Sequence, residues 1–306
     1  MTAPLHLDWD GLDRDAWDGF VAAAGFSAVE QAWAYGEAVG HVRRGVLRAS
    51  EPLALVQAFE RRLGVVTLVR LVRGPLWLDA DEATRLAGDR LVRDAFRKRA
   101  RRLLFWLPEL PAGAEALAHM RACHTRQMVS GYSSARLDLA GDEESLRRGL
   151  HGKWRNQLKS AEDAGLEVNV THGGAQVDRL LDRIDFTRKA KRYAGPNGAL
   201  IRRFAEASHH RSDMTAAIAR AGGSAVAGIV LLRHGATATY FACWTDDAGR
   251  TANAHNLLLW RGVLAMKDAG VRWLDLGGVN ASAAPGIARF KLGLGAAPYT
   301  LAGTFF

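Results

Sequence analysis

The residues whose types and spacing could support chemistry gather in one stretch of this 306-residue sequence, from Ala252 to Gly295. Val271 to Leu276 alternates as a buried strand and delivers Asp275 to its edge. A carboxylate there serves as a general base or orients an amine, or else caps a helix or joins an ion pair. Gly277-Gly278 lets the chain turn sharply and exposes backbone N–H groups. A basic segment, Ala288-Arg289-Phe290-Lys291, then passes the same edge. A lone lysine on a helix face is by default solvated, but one that follows a Gly-Gly strand end is placed to act. Tyr240, Phe241 and Trp244 alternate on the preceding strand, so Tyr240 and Trp244 are expected on one face, either packing the core or lining a pocket. His255, Asn280, Arg289 and Phe290 join Tyr240 and Trp244 as candidate substrate-binding residues.

Other chemistries lack their signatures. The sequence has no G-x-S-x-G elbow, no G-x-x-x-x-G-K-[ST] phosphate loop and no G-x-G-x-x-G after a strand, against hydrolase, nucleoside triphosphatase and dehydrogenase readings. Cys123 and Cys243 are read as buried thiols without a His or Cys at a metal-ligand spacing, and no metal site or cofactor is expected.

The elements that must position these residues repeat in outline. Asp13 to Ala24 and Val29 to Val39 read as helices. Arg44 to Ala49, Pro52 to Glu60 and Leu63 to Val72 read as an antiparallel meander, followed by a helix from Asp81 to about Arg101 and a strand from Leu103 to Leu107. After Gly141 a helix opened by Asp142 runs through Trp154 to Ala164. Helices around Val177 to Lys191 and Leu200 to Ser208 lead to a second meander, Met214 to Arg220, Ala225 to Arg233 and Ala236 to Thr245. A helix through Leu257, Trp260, Val263 and Met266 and the Val271 strand complete it. Pro298 to Phe306 reads as one further strand. The expectation is an α/β chain of two packed domains, 1–140 and 141–296.

Apolar content of 48% and charged content of 24% are those of a globular protein with a sizeable core. Lys and Arg exceed Asp and Glu by 41 to 32, a net charge of +9, which favours a polyanionic or phosphate-bearing partner. The charge is clustered: Lys153, Arg155 and Lys159 on one helix, Arg188, Lys189, Lys191 and Arg192 on another, and Arg97 to Arg102 at a helix end, where cations also complement the dipole. Lys153, Arg155, Arg192 and Arg73 are candidate phosphate contacts, with a solvated surface as the alternative. No apolar run is long enough to span a bilayer, and the N-terminus lacks an apolar signal core, so a cytoplasmic protein without stable membrane insertion is expected.

A meander, a helix and a further strand is the core order of GCN5-related acyltransferases. Those folds carry a Gly-rich R/Q-x-x-G-x-G/A run before the central helix to hold the coenzyme A pyrophosphate. Here that loop reads Asp246-Asp247-Ala248-Gly249-Arg250-Thr251-Ala252-Asn253-Ala254-His255, without the run. Over most of its length the chain resembles the FemABX family, the peptidoglycan-bridge aminoacyltransferases. Gln31-Ala32-Trp33 resembles the Q-x-W motif and Arg73-Gly74-Pro75 the R-G-P turn. Ser134 to Leu139 with Leu150 to Gly165 resembles the strand and the K-x-R-x-x-x-K-A-x-x-x-G helix opening the second domain. Asp275 to Val279 and Gly286 to Lys291 make the densest match.

The resemblance implies two tandem GCN5-related acyltransferase-like domains of mixed, mostly antiparallel sheet, with 297–306 returning to the first. It implies transfer from aminoacyl-tRNA to an amine without metal or covalent intermediate. Lys291 would stabilise the charge formed when the amine attacks the ester carbonyl, and Asp275 is the second catalytic candidate. The long helical arm of larger relatives is not expected. Glu37 to His41 offers no lysine to grip a murein diphosphate, so the acceptor is expected to be a peptide-like or small-molecule amine. An acyl-CoA or acyl-carrier N-acyltransferase, and a non-catalytic binding protein on the same fold, are the alternatives.

Overall fold

The computed structural model describes residues 4–97, 101–192 and 195–306. The chain divides into two compact units, residues 1–133 with 299–306, and residues 134–298.

The first unit runs β1 (His6–Trp9), α1 (Arg14–Ala23), α2 (Trp33–Val39), β2 (Val42–Arg48), β3 (Pro52–Leu63), β4 (Val66–Val72), β5 (Leu76–Trp77), α3 (Glu82–Arg97), β6 (Arg102–Leu107), α4 (Ala114–Ala122) and β7 (Gln127–Val129). Then follow β8 (Ser133–Asp138), α5 (Glu143–Gly149), α6 (Gly152–Asp163), β9 (Glu167–Thr171), α7 (Ala175–Ala190), α8 (Gly198–Ala207), β10 (Met214–Ala221), β11 (Ser224–His234), β12 (Thr237–Thr245), α9 (Asp247–Thr251), α10 (Ala254–Asp268), β13 (Trp273–Asp275), α11 (Pro285–Gly293), β14 (Ala297–Thr300) and β15 (Thr304–Phe305).

Each unit has one mixed sheet. The first is ordered β1-β2-β3-β4-β6-β15-β7 with β5 on β3, the second β14-β8-β13-β12-β11-β10-β9. In both, an antiparallel meander (β2-β3-β4; β10-β11-β12) is followed by helical chain and a strand parallel to the last of the three, β6 on β4 and β13 on β12. Helices pack on the sheets because each strand alternates apolar residues into a core. In the second unit Ala217, Ile229, Leu231, Ala238 and Leu274 meet Leu257, Leu258, Val263 and Met266 of α10 and Trp154 and Leu158 of α6, all buried. In the first, Val56, Val69, Leu71 and Trp106 meet Val92 and Phe96 of α3 and Met120 of α4. The fold is thus α/β with two mixed, mostly antiparallel sheets flanked by helices. The longest helices among the described residues, α3 and α7, have 16 residues each, far short of a coiled-coil arm.

Three expected elements differ. The helix expected over 29–39 breaks at Ala32, whose backbone is extended (ψ 139°), because the Gln57 amide donates to the Glu30 and Ala32 carbonyls. The helix opened by Asp142 is two, α5 and α6, split where Leu150 and His151 are extended and the His151 N–H donates to the Gly293 carbonyl. The single strand expected over 298–306 is two strands in different sheets, separated at Gly303 (φ 114°), where a Cβ would meet the Val129 carbonyl at 2.2 Å.

Candidate active site

Thr237–Thr239 of β12 run parallel to Trp273–Asp275 of β13, and there the pairing stops while β12 continues to Thr245. β13 ends at Asp275, and the chain beyond it stays beside β12: a Cβ on Gly277 would stand 3.6 Å from the Tyr240 carbonyl oxygen and 3.8 Å from Lys291 Nζ. A bulge shapes β12 at this level. Leu231 faces Tyr240 and Val230 faces Ala242, leaving Phe241 without an opposite residue. An extra residue reverses the alternation beyond it. Tyr240 and Cys243 therefore lie together on the α10 side, packed with the main core. Trp244 lies on the other face, opposite Gly228 and 4.3 Å from its ring centroid to the Arg183 guanidinium carbon of α7. The expectation that Tyr240 and Trp244 share a face is corrected, since strict alternation cannot anticipate a bulge.

Asp275 is only 2% exposed, and its Oδ1 accepts from the Ser134 hydroxyl and the Gly277 N–H, each at 2.7 Å. The carboxylate thus ties the end of β13 to β8 and holds Gly277 in the left-handed region (φ 67°), which only glycine adopts without strain. Past the turn, Pro285 sits in the first turn of α11, where its missing N–H costs nothing. The far end of α11 lies on α6: a Cβ on Gly293 would come within 2.8 Å of the Trp154 ring, and the Phe290 ring lies 6.1 Å from it.

That docking brings Lys291 to the end of β13, beside Gly277 and Tyr240. Its Nζ donates to the Gly278 carbonyl at 2.8 Å and sits 5.9 Å from the Tyr240 ring centroid. Burial pushes the Lys291 pKa below the ordinary lysine value, and the neighbouring Cys243 and Asp275 pull it back in part. Burial likewise pushes the Cys243 thiol up, opposed by a hydrogen bond with Tyr240 and by the charges of Lys291 and Lys191. An ammonium has three N–H donors, so with one given to Gly278 two can point at a developing oxyanion.

His255, in the first turn of α10, donates from Nε2 to the Trp244 carbonyl at 3.1 Å. Burial pushes its pKa below the ordinary histidine value, the Trp244 carbonyl working against this and Arg250 with it. The Phe290 ring lies 6.2 Å from His255, so the aromatic side of the site is Trp154, Phe290 and His255. Asn280 is exposed, and its Oδ1 accepts the N–H groups of Ser282 and Ala283, building the turn into α11. Arg289 is exposed on α11.

The cationic candidates divide. Lys153 and Arg155 are exposed on α6, Arg155 donating to the Leu150 carbonyl, and Arg192 is exposed just beyond α7. Arg73 is 5% exposed and gives Nε and Nη2 to Glu109 at 2.6 and 2.7 Å and Nη2 also to the Tyr299 hydroxyl. Its charge is already neutralised inside the first unit, so its expected role as a phosphate contact is corrected. In the 97–102 basic run, residues 98–100 lie outside the described residues. Ser134 and Trp154, both buried supports of the site, carried no signal of this role in the sequence.

The segment ahead of α10 folds as α9. Asp246 caps it by accepting the Gly249 N–H at 2.8 Å, and Gly249 packs so closely that a Cβ would stand 2.4 Å from the Val226 carbonyl. Asp247 pairs with Arg250, which also donates to the Thr245 carbonyl. Two carboxylates thus stand at the segment where a coenzyme A pyrophosphate would need donors. Asn253, which starts α10 in a left-handed conformation (φ 51°), makes no side-chain cap bond.

No curated protein sequence matches the chain. Among solved structures, FemX aligns with a TM-score of 0.83 at 12% identity, covering 97% of this chain and 96% of its own. L-PGS from Bacillus licheniformis aligns at 0.58 and 13% identity, covering 96% and 91%. A tandem GNAT protein from the clavulanic acid biosynthesis pathway aligns at 0.57 and 15% identity, covering 99% and 98%. At these identities the likeness is one of fold, and it extends over both sheets. The acetyltransferase (GNAT) domain model matches residues 144–300, more than half of the sequence and the part that holds α10, β13 and Lys291. The chain therefore belongs to the acetyltransferase (GNAT) domain family, in the two-sheet form seen in FemX.

Proposed function

We propose that this acyltransferase fold moves an aminoacyl group from aminoacyl-tRNA to an amine of a peptide-like or small-molecule acceptor, in the cytoplasm, with the site carried by the 134–298 unit. The observation behind this reading is the half-buried Lys291 ammonium, held by Gly278 just past the end of β13. The amine nitrogen attacks the ester carbonyl carbon and the carbonyl oxygen becomes negative. Collapse breaks the ester C–O bond, and the proton lost by the amine ends on the released ribose hydroxyl. A fixed cation beside that oxygen favours the transition state over the ground state. Asp275, with Oδ1 engaged by Ser134 and Gly277, serves as a positioning residue that shapes the turn beneath Lys291.

The donor is argued from the FemABX resemblance and from the segment ahead of α10, where Asp246 and Asp247 stand and no Gly-rich run is present. An acyl-CoA donor is the second reading, favoured by the family match and by Asn253, whose side chain leaves the first N–H groups of α10 uncapped. The test is incubation with bulk tRNA charged with labelled amino acids and a panel of amines. RNase-sensitive transfer supports the proposal. Transfer that survives RNase or requires acyl-CoA overturns it.

A further inference from the structure

The first unit holds a second group of reactive side chains, far from Lys291 in sequence. His119 and Cys123 lie four residues apart at the end of α4, joined by the Cys123 N–H to His119 carbonyl bond of 3.0 Å, so they share a helix face. The expectation that neither cysteine has a histidine at a ligand spacing fails here, because one helical turn is such a spacing. Across from them, Asp89 of α3 places Oδ2 at 2.7 Å from His119 Nε2. One ligand atom from each of Asp89, His119 and Cys123 falls within 4.8 Å of the others. Asp89 is 4% exposed and Cys123 0%.

We propose that Asp89, His119 and Cys123 bind a divalent ion of the zinc class, with the fourth position open to the cavity beside α3 and α4. The donor set is one carboxylate oxygen, one imidazole nitrogen and one sulfur, the borderline-soft mixture that suits zinc, and three protein ligands leave a vacant tetrahedral corner. The cavity, of about 620 Å³, is lined by Asp89 and His119 together with Trp77, Arg85, Glu109 and Ala116, and so offers the ion an entry path.

An independent observation points the same way. Asp89 Oδ1 is shut away from solvent with no hydrogen-bond partner of normal geometry, although the Trp77 indole and the Arg85 charge lie near enough to favour the carboxylate. A buried carboxylate oxygen left this way is costly, and a coordinated cation removes the cost. Charge also balances: a dication with one carboxylate and one thiolate is a neutral cluster. Binding forms the metal–sulfur bond and sends the Cys123 proton to solvent, with no change of oxidation state. Metal–ligand bonds of about 2.0–2.3 Å place tetrahedral ligand atoms roughly 3.3–3.8 Å apart. The His119–Asp89 pair, now 2.7 Å apart, must open slightly by side-chain rotation.

The test uses the full-length protein, stripped with chelator and reloaded with zinc or cobalt. One zinc per chain is expected to survive desalting, and cobalt is expected to give a thiolate-to-metal charge-transfer absorption. The band should persist in Cys243→Ala and vanish in Cys123→Ser, and zinc affinity should fall about tenfold or more in His119→Gln. Should Cys123→Ser fail to fold, the wild-type and Cys243→Ala cobalt spectra still decide. Wild-type protein that retains no zinc and shows no thiolate band overturns the proposal and leaves a hydrogen-bonded Asp–His pair.

Discussion

At the scale of the residue, Lys291 stands apart because it is a cation held in a partly buried place by a carbonyl alone, Gly278, with Tyr240 beneath it. Replacing Lys291 with Ala is expected to lower kcat by about 10²–10³, the usual loss for one oxyanion donor, with the thermal midpoint near wild type. Because burial lowers its pKa from the ordinary 10.5, the cation is lost as pH rises through that lowered value. The alkaline limb of the pH–rate profile should therefore lie below 10.5 and move upward in Lys291→Arg. A limb at or above the ordinary lysine value would separate Lys291 from the chemistry. His255 gives a stability prediction of the opposite kind. Its folded-state pKa is pushed below the ordinary 6.5, so as pH falls below 6.5 the unfolded chain gains a proton before the folded one does. Stability should decline over that window and level once the folded pKa is passed, and denaturant titrations of wild type and His255→Gln should differ there. Lys291 could be singled out in the sequence because the Gly-Gly turn and its own segment are local. Arg73 could not be judged, because the carboxylate that neutralises it, Glu109, is remote in the chain and only the fold brings them together.

At the scale of the element, α11 is the lever that sets Lys291, and its fit on α6 depends on Gly293. A Cβ there would sit 2.8 Å from the Trp154 ring. Gly293→Ala is expected to cost about 1–3 kcal/mol by overpacking and to lower turnover through a displaced α11; denaturant unfolding with steady-state kinetics checks both. Both meanders, the central helix α10 and the strand bearing Asp275 were legible because their apolar periodicity is strong and their ends are marked by glycine. The bulge at Phe241 was not, since it exists only in the register of β12 against β11. The break at Leu150-His151 was hidden for a similar reason: the carbonyl that takes the His151 N–H belongs to Gly293. The cluster of Asp89 with His119 needed two helices, although the i, i+4 pair His119 and Cys123 stood in plain view.

At the scale of the whole molecule, the net charge of +9 gives any polyanionic donor a favourable field, and no helix among the described residues is long and apolar enough to cross a membrane. If the donor is tRNA, its apparent affinity should weaken with salt, with a log–log slope of about −0.7 to −0.9 per phosphate neutralised, whereas the effect on a coenzyme A ester should be much smaller. The repeated order of meander, helix and parallel strand gives two similar sheets, of which the second has Lys291 just past the end of β13. The most direct measurement of the central claim is single-turnover transfer, with protein in excess over labelled aminoacyl-tRNA and an amine panel, run beside an equal amount of acyl-CoA. The account predicts that label leaves tRNA only when an amine is present, appears in an amide, and does so about 10²–10³ more slowly in Lys291→Ala with tRNA binding unchanged. Consumption of acyl-CoA while charged tRNA stays intact would contradict it.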